Sequence, residues 1–152
     1  MLDIAKIDKN MVFPSTIEAE GLTYYDSKKP PFSLFGIYLD EVGFTRLPKE
    51  VAENTNEGVM ALRNNTSGGR IRFRTNSPYI AVKSLPKEYG LYGNLTIIAT
   101  NGFDLYRYEN GEPVYKGTFI PPFDTRQEGF EGKIDLDGKN MNIFYISLSI
   151  RG

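Results

Sequence analysis

Three arginines at alternate positions are the side chains of this chain best suited to bind an anionic group. Arg70, Arg72 and Arg74 are separated by apolar or small residues, and alternate residues of a β-strand point to the same face of a sheet. A row of planar guanidinium groups matches the geometry of carboxylates and phosphates, including those of anionic sugars. The same row is typical of a solvated sheet face with cross-strand ion pairs, so both interpretations remain open.

The tyrosines form a second candidate set. Aromatic rings can stack on the apolar face of a sugar while their hydroxyls stay in water, but packing in the core or at its rim is the favoured interpretation for most of the tyrosines. Tyr89 and Tyr92, next to glycines in an expected loop, are the least core-like. The ten tyrosines are Tyr24, Tyr25, Tyr38, Tyr79, Tyr89, Tyr92, Tyr106, Tyr108, Tyr115 and Tyr145.

Acidic residues offer two further patterns. Asp124, Glu128 and Glu131 could supply the paired carboxylates of a glycosidase, but nothing in the spacing fixes their separation, so a loop of solvated acids is the favoured interpretation. The stretch from Asp135 to Asn140 superficially resembles the start of a calcium loop, yet it has no late bidentate glutamate. A hairpin turn at Asp137-Gly138 is the simpler interpretation, and we expect no metal site and no cofactor.

Composition excludes several classes of protein. The chain has 152 residues, no histidine and no cysteine, which removes Ser-His-Asp and Cys-His catalysis. A net charge of −1 argues against a nucleic-acid binder. No apolar run approaches the roughly 20 residues of a membrane span, and no secretory signal is visible, which favours a cytoplasmic location.

Alternation and turn residues predict a β-rich domain. Arg70–Thr75 is the clearest strand, and residues 79–83 are its expected hairpin partner. Asn101-Gly102 and Asn110-Gly111 predict tight turns on either side of a strand over residues 103–108. Residues 114–119 follow the second of these turns as a strand. Residues 130–136 and 141–150 complete the set, joined by the Asp137-Gly138 turn. The long, apolar last strand is the expected site of an exposed edge and therefore of dimerisation.

These elements predict an all-β fold, an antiparallel β-sandwich that is jelly-roll-like. One short helix is expected after Pro48, which suits a first helical position. We expect residues 1–21 to form an N-terminal extension and residues 22–152 to form the sandwich domain.

An ordered series of motifs resembles a known family. Gly102-Phe103-Asp104-Leu105-Tyr106 is similar to the Gly-x-Asp-Leu-Tyr motif of the domain that precedes the catalytic part of SGNH (GDSL-type) hydrolases. The stretch from Asn65 to Ser77, and Gly117-Thr118-Phe119 before Pro121-Pro122, are similar as well. The resemblance extends over about residues 22–148.

The resemblance implies a β-sandwich placed before an esterase domain. In such proteins the nucleophilic serine lies in a Gly-Asp-Ser or similar block, and no such block occurs in these residues. The chain alone is therefore not expected to be an enzyme, although its parent family hydrolyses esters. From the residues, the motif itself is expected to be structural: Phe103 and Leu105 fill the interior, and Asp104 accepts hydrogen bonds.

Three functions follow as hypotheses. The first is a non-catalytic module that packs on an SGNH hydrolase domain in cis and helps to shape or bind an acylated carbohydrate. The second is a stand-alone carbohydrate-binding module. The third is an accessory subunit of a hydrolase whose catalytic part is another chain. Candidate ligand or interface residues are Tyr89, Tyr92, Arg70, Arg72 and Arg74, and the family-motif residues are Gly102, Asp104, Leu105 and Tyr106.

Overall fold

The computed structural model describes residues 15–85, 93–122, 129–138 and 140–149. Within these ranges the chain is built mainly of antiparallel strands with three short helices. None of the helices in the described part is long and apolar enough to cross a membrane. The expectation of an all-β, sandwich-like fold is confirmed, with two more helices than the sequence indicated.

Nine strands form three sheets in the described residues. A five-stranded sheet has the order β1-β4-β9-β6-β7, and two-stranded sheets are formed by β2 with β3 and by β5 with β8. The strands are β1 (Ser33–Phe35), β2 (Tyr38–Asp40), β3 (Gly43–Thr45), β4 (Arg70–Thr75), β5 (Tyr79–Ser84), β6 (Phe103–Glu109), β7 (Glu112–Phe119), β8 (Phe130–Asp135) and β9 (Asn142–Leu148).

The last strand lies in the middle of the large sheet. β9 pairs with β4 on one side and with β6 on the other, so the prediction that it offers an exposed edge is wrong. The edges are β1, which has three residues, and β7, which carries Pro113. Short edge strands and edge prolines discourage pairing with a second chain.

The two-stranded β5–β8 sheet covers one face of the five-stranded sheet. Phe103 stacks on Phe130 with ring centroids 5.8 Å apart, and Phe119 is 1% exposed between the layers. The close approach leaves no room for side chains at two positions: a Cβ on Gly117 would lie 3.0 Å from Ile134, and one on Gly132 would lie 3.0 Å from Phe119. These contacts close the hydrophobic core.

Two predicted hairpins do not form, because strands that are consecutive in sequence belong to different layers. β4 pairs with β1 and β9, whereas β5 pairs with β8. The turns at residues 76–78 and at Asp137-Gly138 therefore carry the chain from one sheet to the other. Each crossing lets the two strands bury their apolar residues between the two sheets, and this burial favours the crossing over a local hairpin.

The β6–β7 hairpin forms as predicted. Asn110 has φ 53° and Gly111 has φ 88°, the left-handed pair that a two-residue hairpin turn requires. The register shifts beyond the turn, between Leu105 and Tyr106, which marks a β-bulge. The bulge brings Tyr115 opposite Tyr106 and Thr118 opposite Asp104.

Three short helices lie outside the strands: α1 (Lys49–Glu53), α2 (Glu57–Leu62) and α3 (Ile97–Asn101). α1 follows Pro48 as expected. The tight turn predicted at Asn101-Gly102 is wrong, since Asn101 ends α3 and Gly102 caps it in extended conformation with φ −79°. Thr96 accepts a hydrogen bond from the Ala99 amide at 3.3 Å, and this cap starts the helix.

Candidate binding face and adjoining cleft

The face of the five-stranded sheet that points away from β5–β8, hereafter the outer face, carries two rows of side chains in register. The first row runs across the sheet through Arg72, Tyr145, Tyr106 and Tyr115. The second row lies beside it and consists of Phe35, Arg70, Ser147, Asp104 and Thr118. The sheet therefore brings two of the family-motif residues, Asp104 and Tyr106, next to the arginine row.

Tyrosine rings form a continuous cluster on the outer face. Tyr106 stacks on Tyr145 with centroids 4.8 Å apart and an interplanar angle of 11°. Tyr115 meets Tyr106 edge to face at 5.7 Å, and Tyr108 lies 5.6 Å from Tyr145. Tyr145 is 8% exposed at the centre, while Tyr115 is 55% exposed at the rim. Ring pairs of this geometry are favourable beyond their buried area.

The tyrosine hydroxyl at the centre of the cluster stays protonated. Burial raises the pKa of Tyr145 above its usual range, and the neighbouring hydroxyls of Tyr106 and Tyr108 raise it further, against a smaller opposite effect of Arg70. A neutral phenol both donates and accepts hydrogen bonds. Tyr145 therefore contributes a hydrogen-bonding hydroxyl rather than phenolate charge.

Two of the arginines are held against aromatic rings. The Arg70 guanidinium lies 5.7 Å from the Tyr145 centroid. The Arg72 guanidinium lies 5.4 Å from the Phe35 centroid and 6.0 Å from that of Tyr108. Such cation–π contacts fix the guanidinium plane while leaving its N–H edges free.

The arginine row has no carboxylate partner within the described residues. The ion pairs found there join other residues, and Arg70, Arg72 and Arg74 take part in none of them. All three side chains are exposed. Of the two interpretations that the sequence left open, the cross-strand ion pairs required by the structural one are not observed in this part of the chain.

Asp104 ends a chain of hydrogen bonds that crosses from β7 to β6. The Thr118 hydroxyl donates to Asp104 Oδ1 at 2.5 Å, and the Tyr115 and Thr118 hydroxyls are 2.7 Å apart. Because an ionised carboxylate only accepts, Thr118 uses its single proton on Asp104 and Tyr115 donates to Thr118. The bulge makes this arrangement possible, since it places Thr118 and Tyr115 on the same face.

A shallow cleft adjoins the second row at the end of β9. It has a volume of about 390 Å³, and Asp104 and Ser147 form the wall that it shares with the outer face. α3 forms the opposite wall. Ser67, Gly68 and Leu148 extend the lining, in which polar and apolar groups have about equal shares. The cleft can accept a polar chain segment or ligand by hydrogen bonds.

The family motif divides between the core and this surface. Leu105 is fully buried in the core, whereas Asp104 and Tyr106 lie on the outer face as the alternation predicted. Gly102 is required for a reason other than a turn: a Cβ there would lie 2.6 Å from the Ile98 carbonyl oxygen of α3. Tyr89 and Tyr92 lie outside the described residues.

The carboxylate patterns form no catalytic or metal site in the described residues. Glu131 is buried in β8, where it pairs with Lys83 at 3.7 Å, and it is not the solvated loop residue that the sequence indicated. Asp124 and Glu128 lie outside the described ranges. Asp135 pairs with Lys133 at 2.7 Å, and no group of three or more potential metal-binding side chains occurs in this part of the chain.

Sequence reasoning missed several members of the face. Thr118 and Ser147 have no distinctive pattern of their own, and Phe35 belongs to β1, which is only three residues long. Their positions follow from strand order and from the bulge, which a single sequence does not reveal. The alternation of Ser147 with apolar residues in β9 was the one available indication.

The described fold and face define a class: an antiparallel β-sandwich domain with a tyrosine- and arginine-bearing outer face and a shallow cleft beside it. The family model for the N-terminus of SGNH-hydrolase-type esterases, called GxDLY after its motif, matches residues 22–144. The chain belongs to this family, and its motif is Gly102-Phe103-Asp104-Leu105-Tyr106.

One solved structure supports the same relationship. A protein from Bacteroides ovatus ATCC 8483, described as a GDSL-like lipase, is similar with a TM-score of 0.66 and 27% sequence identity. The similarity covers 77% of this chain but 34% of that one, so this chain corresponds to about a third of the length of the B. ovatus protein. No curated protein matches this chain.

Proposed function

We propose that this chain is the non-catalytic N-terminal module of an SGNH-type esterase. It packs on the hydrolase domain and helps to bind an acylated carbohydrate substrate. The observation that carries this proposal is the position of Asp104 and Ser147, which belong at once to the outer face and to the cleft where β9 ends. The family membership supports the hydrolase domain as the partner.

The position where the chain leaves β9 supports docking of a hydrolase domain at the cleft. The family is defined by its place before an SGNH hydrolase, and a domain that follows would be connected through the residues after β9. Ser149, next after β9, lines the same cleft and is fixed there by a hydrogen bond from its hydroxyl to the Thr100 carbonyl at 2.9 Å. This position of Ser149 supports a docking site beside Asp104 for a domain that follows.

The chain alone is expected not to hydrolyse esters. It contains no histidine, and an ester-cleaving serine needs a general base to accept its proton. In an assay with 4-nitrophenyl acetate, the purified 152-residue chain should give no turnover above the rate in buffer. Turnover that rises with protein concentration and survives repurification would contradict a non-catalytic module.

The docking proposal is tested with the product of the complete gene that carries this sequence. Asp104→Lys places a bulky cation at the cleft, and we expect it to increase the rate of proteolytic cleavage between the two domains by about tenfold, which corresponds to about 1.4 kcal/mol of lost docking energy. Asp135→Lys, the same charge change on the exposed side of β8, is the matched control.

Two outcomes would contradict docking in cis. One is a gene product without a hydrolase domain, which would favour an accessory subunit that acts on a separate chain. The other is equal protection of the junction in the Asp104→Lys and Asp135→Lys variants. Circular dichroism of each variant shows whether the sandwich itself is intact.

A second candidate function is a stand-alone carbohydrate-binding module. The exposure of Tyr115 and Phe35, 55% and 40%, at opposite sides of the outer face favours it, since exposed rings suit sugar stacking. Glycan binding by this chain without a hydrolase domain in its gene product would select this alternative.

A further inference from the structure

We propose that the outer face selects anionic carbohydrate, in the form of a polysaccharide that carries uronate carboxylates. The site consists of Arg72 and Arg70 with the rings of Phe35, Tyr108 and Tyr145 against them, and the exposed Tyr115 lies at the far side of the same face. This proposal deepens the function proposed above because it names the charge class of the carbohydrate. It is tested on the 152-residue chain alone, so it can fail while the docking of a hydrolase domain stands.

Charge is the first argument. The whole chain has a net charge of −1, yet the outer face gathers three exposed arginines that lack an ion pair within the described residues. The nearest acid in the second row, Asp104, is engaged by Thr118 at 2.5 Å. A cationic strip on a nearly neutral protein is complementary to an anionic ligand.

Preorganisation is the second argument. Arg72 lies over both Phe35 and Tyr108, at 5.4 and 6.0 Å from the two ring centroids. The two rings restrict the guanidinium before any ligand arrives, which lowers the entropy lost on binding. The free N–H edges can then donate two parallel hydrogen bonds to one carboxylate.

Shape and hydroxyl content favour a sugar over an acidic peptide. An extended peptide typically adds to a sheet edge through its backbone, whereas the arginines here stand on the face of strand β4, between β1 and β9. Tyr108 lies against Arg72, and its ring belongs to the tyrosine cluster that carries phenol hydroxyls across the face to Tyr115. This combination matches a ligand that presents carboxylates and hydroxyls together, as uronate polymers do.

The experiment measures binding of polygalacturonate to the 152-residue chain by isothermal titration calorimetry at low ionic strength. Fully methyl-esterified polygalacturonate is the matched neutral ligand, and poly-L-glutamate is the acidic peptide. We expect polygalacturonate to bind, the esterified polymer to bind at least about tenfold more weakly, and added salt to weaken the binding because exposed charges are screened.

Substitutions on the face separate charge from geometry. Arg72→Gln should weaken the binding of polygalacturonate by about tenfold, since it removes a charge-assisted pair of hydrogen bonds. Arg72→Lys keeps the charge but not the planar fork, so it should restore the affinity only in part. Lys133→Gln removes one cation from the second sheet, where Lys133 pairs with Asp135, and should leave the affinity unchanged.

Several results would overturn the proposal. These are the absence of polygalacturonate binding, equal affinity of the Arg72→Gln and Lys133→Gln variants, and poly-L-glutamate binding as tightly as polygalacturonate at equal charge. Arg72 is exposed, so the variants should fold, and their thermal unfolding midpoints are measured alongside. A variant that does not fold is replaced by Arg70→Gln, which tests a second arginine of the same strand, β4.

Discussion

Replacing Glu131 with alanine is expected to lower the free energy of unfolding by about 2–3 kcal/mol, because it removes a buried carboxylate that pairs with Lys83 and accepts charge-assisted hydrogen bonds. The Glu131 and Lys83 side chains are each 3% exposed. Glu131 also accepts hydrogen bonds from the Thr16 amide at 2.8 Å and from the Tyr24 hydroxyl at 3.0 Å. The substitution therefore removes a buried charge and the attachment of the segment that precedes β1.

Urea unfolding, followed by circular dichroism, measures this change. Asp135→Ala is the matched control, because it also removes a carboxylate from β8. The Asp135 side chain pairs with Lys133 but is 76% exposed. An exposed pair contributes about 0–1 kcal/mol. Equal losses in the two variants would contradict a structural role for the buried pair.

The same carboxyl should make stability depend on pH. Burial of Glu131 acts to raise its pKa, but the bonds from Thr16, Tyr24 and Ser15 and the charge of Lys83 outweigh burial, and the net pKa is lowered from its usual 4.5. A lowered folded-state pKa gives stability that is fully present above the unfolded pKa and is lost as pH falls through the folded pKa. Glu131→Gln removes the titrating carboxyl. The decrease in the free energy of unfolding that Glu131 causes below about pH 4.5 should therefore be absent from this variant.

Tyr24 responds to the same network. Burial raises the pKa of Tyr24 to about 12, with a further contribution from the Glu131 carboxylate. The phenol therefore remains a hydrogen-bond donor to Glu131 throughout the neutral range. Residues 15–24, most of which the sequence indicated only as an extension, are in part held against the sheet by this donor and by the Tyr79 hydroxyl, which donates to the Glu20 carbonyl at 2.9 Å.

The elements that local residues dictate were predictable from the sequence. Alternation gave the bounds of β4 correctly, and Asn110-Gly111 gave the β6–β7 hairpin, because both depend on neighbouring residues. The placement of Asp104 and Tyr106 opposite Leu105 followed from the same alternation.

Features that depend on distant residues were not predictable. The pairing of β5 with β8 joins residues about 50 positions apart, and hairpins between consecutive strands were expected instead. α3 is short, and the apolar side chains of residues 95–100 suit a strand as well as a helix. Glu131 looked like a loop acid because its partners, Thr16 and Lys83, are remote in sequence.

The candidate site lies between these two cases. The arginine row and the tyrosines were visible as residue types, and the motif was visible as a pattern. The sequence did not reveal the strand order. Because β9 lies between β4 and β6, Tyr145 of β9 connects the arginines of β4 to Tyr106 of β6. The face therefore depends on strand order, which the burial of the opposite side of the sheet determines.

The motif should show this division in stability measurements. Leu105→Ala is expected to lower the free energy of unfolding by about 2–5 kcal/mol, because it removes a fully buried side chain and leaves a cavity in the core. For a domain of this size that corresponds to a fall of roughly 5–20 °C in the unfolding midpoint. Differential scanning calorimetry measures both quantities.

The adjacent residue provides the control. Asp104→Ala removes only the acceptor of the Thr118 hydrogen bond on the outer face, and we expect a loss of about 1 kcal/mol. If the two losses were equal, the assignment of Leu105 to the core and Asp104 to the surface would be wrong. If they differ as expected, Leu105 holds β6 in the sheet, and the same alternation places Asp104 and Tyr106 on the outer face, the side away from the core.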